Sequence, residues 1–222
     1  MGTMLRALMV MGLVAVPALA ETPPLRCDET GCVSLPYAPS PVPVEVEWRT
    51  GVGSGSYATR VDRPNQSAGI VTFDAALDIA ARWRWLRAGA LVDLAAATFQ
   101  SDHVYLGAFA GPRWRIGWLE VALAVEAGAH WVSNVNDDIF GRVVSGESAW
   151  LPYAGGSVRA AWRFGRHDRG LLGLWVGARD DLAAATVHST VTSCFLGCNT
   201  EVQTWAVGGW SASVAIVAGS EF

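Results

Sequence analysis

Carboxylates and arginines recur at alternate positions along several stretches of this sequence. Glu120 and Glu126 are an even number of residues apart, as are Asp74 and Asp78, so each pair would lie on one face of an extended strand. Paired carboxylates can perform general acid–base catalysis, but no nucleophile or cleft is indicated beside these. Arginines alternate in the same manner, which favours ion pairing. The side chains of the predicted network are Arg49, Asp78, Asp93, Glu120, Glu126, Arg159 and Arg179.

A histidine and a serine lie close together in the segment His130-Trp131-Val132-Ser133-Asn134. A histidine base beside a serine nucleophile is a recurring catalytic arrangement. The odd spacing sends His130 and Ser133 to opposite faces of a regular strand, and only a bulge would bring them together. The segment loosely resembles the His-x-Ser-Asn motif of the outer-membrane lipid A 3-O-deacylases, which implies a base at His130 and a nucleophile at Ser133. A lipid-modifying enzyme is therefore one alternative, although the sequence favours a protein without catalytic residues or a cofactor.

Four cysteines occur as two closely spaced pairs, Cys27 with Cys32 and Cys194 with Cys198. An exported chain meets an oxidising compartment, so two local disulfides are the simplest prediction. Each disulfide would close a short loop and stabilise its own neighbourhood. Zinc binding is the alternative, but the sequence offers no supporting histidine next to either pair.

The N-terminal part of the chain predicts export. Within residues 1–20, a basic residue precedes an apolar run, and Ala18-Leu19-Ala20 forms a small-x-small cleavage site, as in a secretory signal peptide. The apolar run is too short for an uncleaved membrane anchor, and Pro17 interrupts it. Residues 21–41 are proline-rich and predict a periplasmic lead-in that is neither helix nor central strand. Residues 42–222 are predicted to form the main domain.

About eight segments show the alternating pattern of strands with one apolar and one charged face, which is the smallest number that closes a membrane barrel. The fifth has the strongest pattern, with aliphatic side chains at odd positions and Glu120 and Glu126 at even positions. Short turns alternate with longer, more polar connections near 58–66, 132–148 and 183–201. The predicted strands are 42–57, 68–83, 86–99, 104–114, 119–131, 149–164, 171–182 and 202–222.

The last segment ends on an aromatic residue. Trp210, Val214 and Ile216 share one face with the terminal Phe222, while serines, a glycine and Glu221 occupy the other face. This pattern resembles the last strand of bacterial outer-membrane β-barrels. The resemblance implies an all-β fold, namely an up-and-down antiparallel transmembrane β-barrel of about eight strands. It also implies that Phe222 belongs to the signal read by the barrel-assembly machinery.

Alternation alone does not decide which face points outwards. Trp83, Trp114, Trp131 and Trp162 lie near strand ends on the apolar face, where an interfacial aromatic girdle belongs. A soluble barrel would bury this face and would leave the terminal phenylalanine without a purpose. A single C-terminal membrane helix is another alternative, but Gly208-Gly209 and the β-branched residues disfavour a helix and predict a bulge or a close approach.

About eight strands enclose an interior only wide enough for side chains, where unpaired charges would be costly. The sequence therefore predicts an outer-membrane protein with a salt-bridged, plugged lumen and a structural or interaction role through extracellular loops. A narrow channel for small solutes or ions is the other main alternative. Outer-membrane lipids and the assembly machinery are the predicted partners, and the net charge of −4 gives no case for nucleic acid. Side chains near the loops that could contact a partner or lipid are Trp150, Phe195, Leu196 and Trp205.

Overall fold

The computed structural model describes residues 25–28, 31–34, 42–64, 67–68, 71–97, 101–136, 141–194 and 197–222. The chain divides into two compact units, Met1–Pro43 and Val44–Phe222. In the first unit, β1 (Leu25–Asp28) and β2 (Gly31–Ser34) pair as an antiparallel hairpin that sets Cys27 opposite Cys32 along the backbone. The predicted signal peptide, most of the proline-rich segment and the side chains of both cysteines lie outside the described residues, so the Cys27–Cys32 disulfide stays a prediction.

The second unit is a closed antiparallel barrel of eight strands, as the sequence predicted. Each barrel strand pairs with its neighbours in chain order, and the barrel closes where the first strand pairs with the last. In the described part of the chain, no helix is long and apolar enough to cross a membrane. The barrel strands are β3 (Val44–Arg60), β5 (Val71–Trp83), β6 (Leu86–Ala97), β7 (Ser101–Ile116), β8 (Leu119–Ser133), β10 (Ala149–Phe164), β11 (Gly170–Asp181) and β13 (Cys198–Glu221).

The connections distinguish two ends of the barrel. At the turn end, strands are joined by the tight turns at 84–85 and 117–118 and by a short segment that contains the 3-10 turn Arg166–Asp168. The chain terminus also lies at this end, because Phe222 and Val44 exchange backbone hydrogen bonds of 2.8 and 3.3 Å. The longer connections lie at the opposite end, which we call the loop end.

Alternation along each strand separates the outer face of the barrel from the lumen. In β5, Leu77 and Ile79 are 43% and 50% exposed, whereas Asp78 and Arg82 between and beyond them are buried. The same alternation leaves Trp162 half exposed near the turn end. Apolar side chains thus point outwards and charged side chains inwards, which is the reverse of a soluble barrel.

Strand β13 continues past the barrel wall at the loop end. Its first half pairs with β12 (Ala185–Cys194), which in turn pairs with β9 (Gly141–Gly146); β4 (Ser67–Ala68) adds a short pairing to β3. We call β9, β12 and the first half of β13 the extension. The longer, more polar connections predicted over 132–148 and 183–201 therefore contain strands that the sequence analysis did not predict. Serine and threonine on both faces of β12 hide its alternation, while its β-branched content favours a strand.

The predicted bulge at Gly208-Gly209 is present in β13. Gly208 has a φ of +122°, and the register of β13 against β3 shifts between Val207 and Trp210. A Cβ atom on Gly209 would overlap the carbonyl oxygen of Ser56, so the close approach requires glycine there. The bulge lies where β13 passes from the extension into the barrel wall.

Candidate functional site

Arginines and glutamates fill the lumen near the turn end. Glu120 accepts hydrogen bonds from Arg113 at 2.8 Å and from Arg163 at 2.7 Å. Glu45 accepts one from Arg87 at 2.9 Å, and both glutamates are fully buried. Each carboxylate is therefore surrounded by guanidinium groups that offset the cost of its burial. The turn-end cluster comprises Glu45, Glu47, Arg82, Arg87, Arg113, Glu120, Arg159, Arg163 and Glu221.

A second group of ion pairs, the central cluster, lies between the turn-end cluster and the loop end. Arg49 pairs with Asp78 at 3.0 Å, and Arg179 pairs with Asp93 at 2.7 Å and with Glu126 at 3.0 Å. All five side chains are less than one-tenth exposed. The two clusters together hold seven arginines and seven carboxylates, so the formal charge of this network is zero.

Aromatic rings cover the arginines of the central cluster. The Arg49 guanidinium lies 4.0 Å from the centre of the Trp175 ring, and that of Arg179 lies 4.7 Å from the centre of the Tyr105 ring. Such contacts stabilise a cation that has left water. They also occupy lumen space that a solute would otherwise need.

The structure places every predicted network residue on the lumen face. Glu120 and Arg159 belong to the turn-end cluster, and the other five form the central cluster. Of the two carboxylate pairs considered for acid–base catalysis, Glu120 and Glu126 are separated, because they lie in different clusters. The sequence analysis missed Arg87. Arg87 and Asp93 lie at alternate positions of the same strand and therefore on the same face, so the alternation pattern would have identified Arg87 as a lumen residue.

A chain of hydrogen bonds crosses the lumen near the loop end. The Ser101 hydroxyl lies 2.7 Å from Nε2 of His103, and Nδ1 of His103 lies 2.9 Å from Nε2 of His130. Nδ1 of His130 then contacts Asp181 at 2.9 Å. Asp181 also accepts the backbone N–H of Gly209 at 3.1 Å, a group that the bulge directs toward it. We call these side chains the Ser101–Asp181 relay.

Ser133, the nucleophile implied by the deacylase resemblance, takes no part in this chain. His130 faces the lumen, where its ring nitrogens are bonded to His103 and Asp181. Among the residues that the structure describes, the buried hydroxyl of Ser133 has no hydrogen-bond partner. The sequence thus identified a histidine that contacts a serine through one intermediate ring, but the serine is Ser101.

An apolar cluster of buried side chains lies at the loop end, and we call it the cap. Trp205 lies at its centre with no exposed surface, against the expectation that it could contact a partner. Trp205 has the parity of the inward-facing Val217, whereas Trp150 is 57% exposed and Phe195 and Leu196 lie outside the described residues. The cap consists of Ala58, Val132, Val135, Leu151, Val187, Trp205 and Val207.

Charged side chains at the loop end form local pairs. A hydrogen bond from Arg60 lowers the pKa of Asp62 below its ordinary value. His188 bonds Glu147 through its ring and its backbone N–H, both at 2.9 Å, and thereby lowers the pKa of the Glu147 carboxyl. A small polar cavity of about 210 Å³ lies beside Arg60, between the end of β3 and the extension.

Cys194 and Cys198 form a disulfide at the tip of the hairpin between β12 and β13. The prediction for this pair is confirmed. Across the described residues, no group of three or more histidine, cysteine, aspartate or glutamate side chains is arranged to hold a metal ion.

No protein-family model matches this sequence, and a search of curated proteins finds no match. Solved structures match the fold. Neisserial surface protein A is 12% identical, with 82% of this chain and 98% of that chain covered and a TM-score of 0.49. A major outer-membrane protein from Thermus thermophilus is 13% identical, with coverages of 80% and 99% and a TM-score of 0.46. The outer-membrane protein AlkL is 15% identical, with coverages of 89% and 97% and a TM-score of 0.41. The likeness to small outer-membrane barrels extends to the fold alone.

Proposed function

We propose that this protein is an outer-membrane barrel whose lumen is closed to solutes and whose loop end is its surface for interaction. The observation that carries the proposal is the neutral, ion-paired lumen network beneath an apolar cap. Apart from Arg113 and Glu221, every side chain of the two clusters is less than one-tenth exposed.

The ion pairs support closure through their burial. The guanidinium of Arg159 pairs with Glu45 at 2.8 Å and also contacts Glu47 and Glu120. A permeating ion would have to separate such groups, and an uncompensated charge buried in a protein costs several kcal/mol, about 3–5 when one partner of a pair is removed. The network therefore acts as a plug made of the barrel's own wall.

The cap adds a second barrier in series with the ion pairs. Trp205, Val132 and Val207 have no exposed surface and belong to one packed cluster, in which Val132 lies opposite His103 in the strand register. Close-packed apolar side chains give an ion no replacement for its hydration shell. Passage along the lumen would require this cluster to open as well.

The outer face supports insertion into a bilayer. Leu174 and Ile216, on neighbouring strands, are each 53% exposed, and Trp118 stacks on Trp162 near the turn end with ring centres 5.6 Å apart. An outward apolar band bordered by aromatic residues matches the hydrocarbon layer and its interfaces. The turn end would then face the periplasm, and the loop end the exterior.

The extension supplies the exposed surface at the loop end. Val144 and Val202 are 64% and 66% exposed, and the Cys194–Cys198 disulfide closes its tip. A surface held by a ladder of backbone hydrogen bonds is better ordered than a free loop and loses less entropy on binding. The interaction role belongs to this surface.

Single-channel recording in planar bilayers tests the closed lumen. We expect no open steps from the folded full-length protein, with heat-modifiable migration as the check on folding and a large general porin as the check on the bilayer. Regular conductance steps from the folded protein would refute the plug and favour the narrow channel.

A further inference from the structure

The Ser101–Asp181 relay is a buried arrangement that the plug does not need. It lies on the loop-end side of the central cluster, where Val132 and Leu151 of the cap pair in the strand register with His103 and His130. Its three side-chain hydrogen bonds are 2.7 to 2.9 Å long; one lies within β7, and the other two join different strands. His103 and His130 have no exposed surface, whereas Ser101 retains 5%. Ser101 is therefore the most exposed of these three side chains.

The distances are compatible with one neutral tautomer of each histidine that leaves Ser101 as a donor. In that arrangement Asp181 accepts from Nδ1 of His130, and Nε2 of His130 is an acceptor. His103 must then donate from Nδ1 to His130, which leaves its own Nε2 as an acceptor. The hydroxyl of Ser101 completes the chain as a donor and points its proton at Nε2 of His103.

The neighbouring rings hold both imidazoles in this orientation. Tyr105 stacks on His130 with ring centres 4.2 Å apart and an interplanar angle of 9°. The ring of Tyr57 packs on the ring of His103, with ring centres 4.1 Å apart. Neither ring can rotate without displacing a tyrosine, so the orientation of the imidazole that contacts the serine is set in advance.

We propose that Ser101 is a nucleophile and His103 its general base, in a site that takes carboxylic esters presented from the loop end. A serine bonded to a histidine that a further group orients is the general form of an activated hydroxyl. His130 and Asp181 are positioning residues, because they act on His103 and not on the ester.

The reaction balances with water as the only co-reactant. Oγ of Ser101 forms a bond to the carbonyl carbon while its proton passes to Nε2 of His103. The carbon–oxygen bond to the leaving alcohol breaks, and the alkoxide takes the proton from His103. Water then attacks the acyl-serine by the same route, releases the carboxylic acid and restores the Ser101 hydroxyl.

A fluorophosphonate probe tests the nucleophile on the folded full-length chain in lipid. The Ser101 oxygen should form a bond to phosphorus as the phosphorus–fluorine bond breaks, so that fluoride leaves and mass spectrometry locates one adduct at Ser101. Ser101→Ala should abolish that adduct, and Ser133→Ala, which changes a buried serine on the neighbouring strand, should retain it. A wild-type chain that is folded and not labelled at Ser101 would overturn the proposal.

Two further variants separate activation from simple exposure. His103→Gln should slow labelling about 100-fold or more, because general base catalysis contributes rate factors of that order. Asp181→Asn should change the pH dependence of the labelling rate, which a merely structural aspartate would leave unchanged. Labelling of Ser101 at the same rate in folded His103→Gln would refute the base. If that variant does not fold, the pH profile of wild-type labelling decides, since a rate that follows only hydroxide concentration would contradict a histidine base.

Discussion

Replacement of Glu120 by glutamine is the sharpest test of the lumen network. Glu120 is fully buried and accepts hydrogen bonds from Arg113 at 2.8 Å and Arg163 at 2.7 Å. Glutamine keeps the shape but removes the charge that these arginines share. Loss of one partner from a buried pair costs about 3–5 kcal/mol, so we expect Glu120→Gln to lower the free energy of unfolding by that amount.

Urea unfolding in lipid vesicles, followed by tryptophan fluorescence, measures this difference from the midpoint and the slope. The matched control is Glu147→Gln, which removes a carboxylate whose only described contact is the exposed His188, and it should unfold like the wild type. In the double variant Glu120→Gln with Arg113→Gln, the free energy of unfolding should fall by less than the sum of the two single decreases, because both members of one pair are removed. A Glu120→Gln protein within about 0.5 kcal/mol of the wild type would refute the energetic role of the cluster.

Other predictions concern the outer face, the extension and the chain terminus. Leu123 is 40% exposed to the lipid side, so Leu123→Arg should lower the free energy of unfolding by roughly 2–4 kcal/mol, whereas Val144→Arg, on the extension, should not. A spin label at position 123 that is inaccessible to both oxygen and a polar relaxant would show a protein core instead of lipid. Thiol reagents should label Cys194 and Cys198 on intact cells only after reduction, and free thiols beforehand would argue against an extracellular disulfide. Deletion of Phe222 should reduce the fraction of membrane-inserted, heat-modifiable protein, and normal assembly would contradict its role in the assembly signal.

The barrel strands were predictable because one physical contrast repeats along all of them. Lipid outside and ion pairs inside require apolar and charged side chains at alternate positions, as along Leu77, Asp78 and Ile79. The extension lacks that contrast. Ser189 and Thr190 lie on opposite faces of β12, so polar residues on both faces concealed a strand.

Parity predicted which side chains face the lumen but not which of them meet. Arg163 contacts Glu45 across 118 residues of sequence. That contact depends on the register of several strand pairs and on the tilt of the strands around the barrel. A single sequence fixes neither quantity, and the Ser101–His103–His130 contact escaped prediction for the same reason.

A closed lumen and a reactive serine are compatible because they use different parts of the barrel. The relay ends at Asp181, and the arginines of the central and turn-end clusters are engaged with their own carboxylates. A ligand that reaches Ser101 from the loop end therefore need not cross the ion-paired section. Conductance measures the whole length of the lumen, whereas fluorophosphonate labelling measures only its outer end. Absence of single-channel conductance together with a fluorophosphonate adduct on Ser101 would identify a barrel whose lumen is closed to solutes and whose loop end carries a reactive serine.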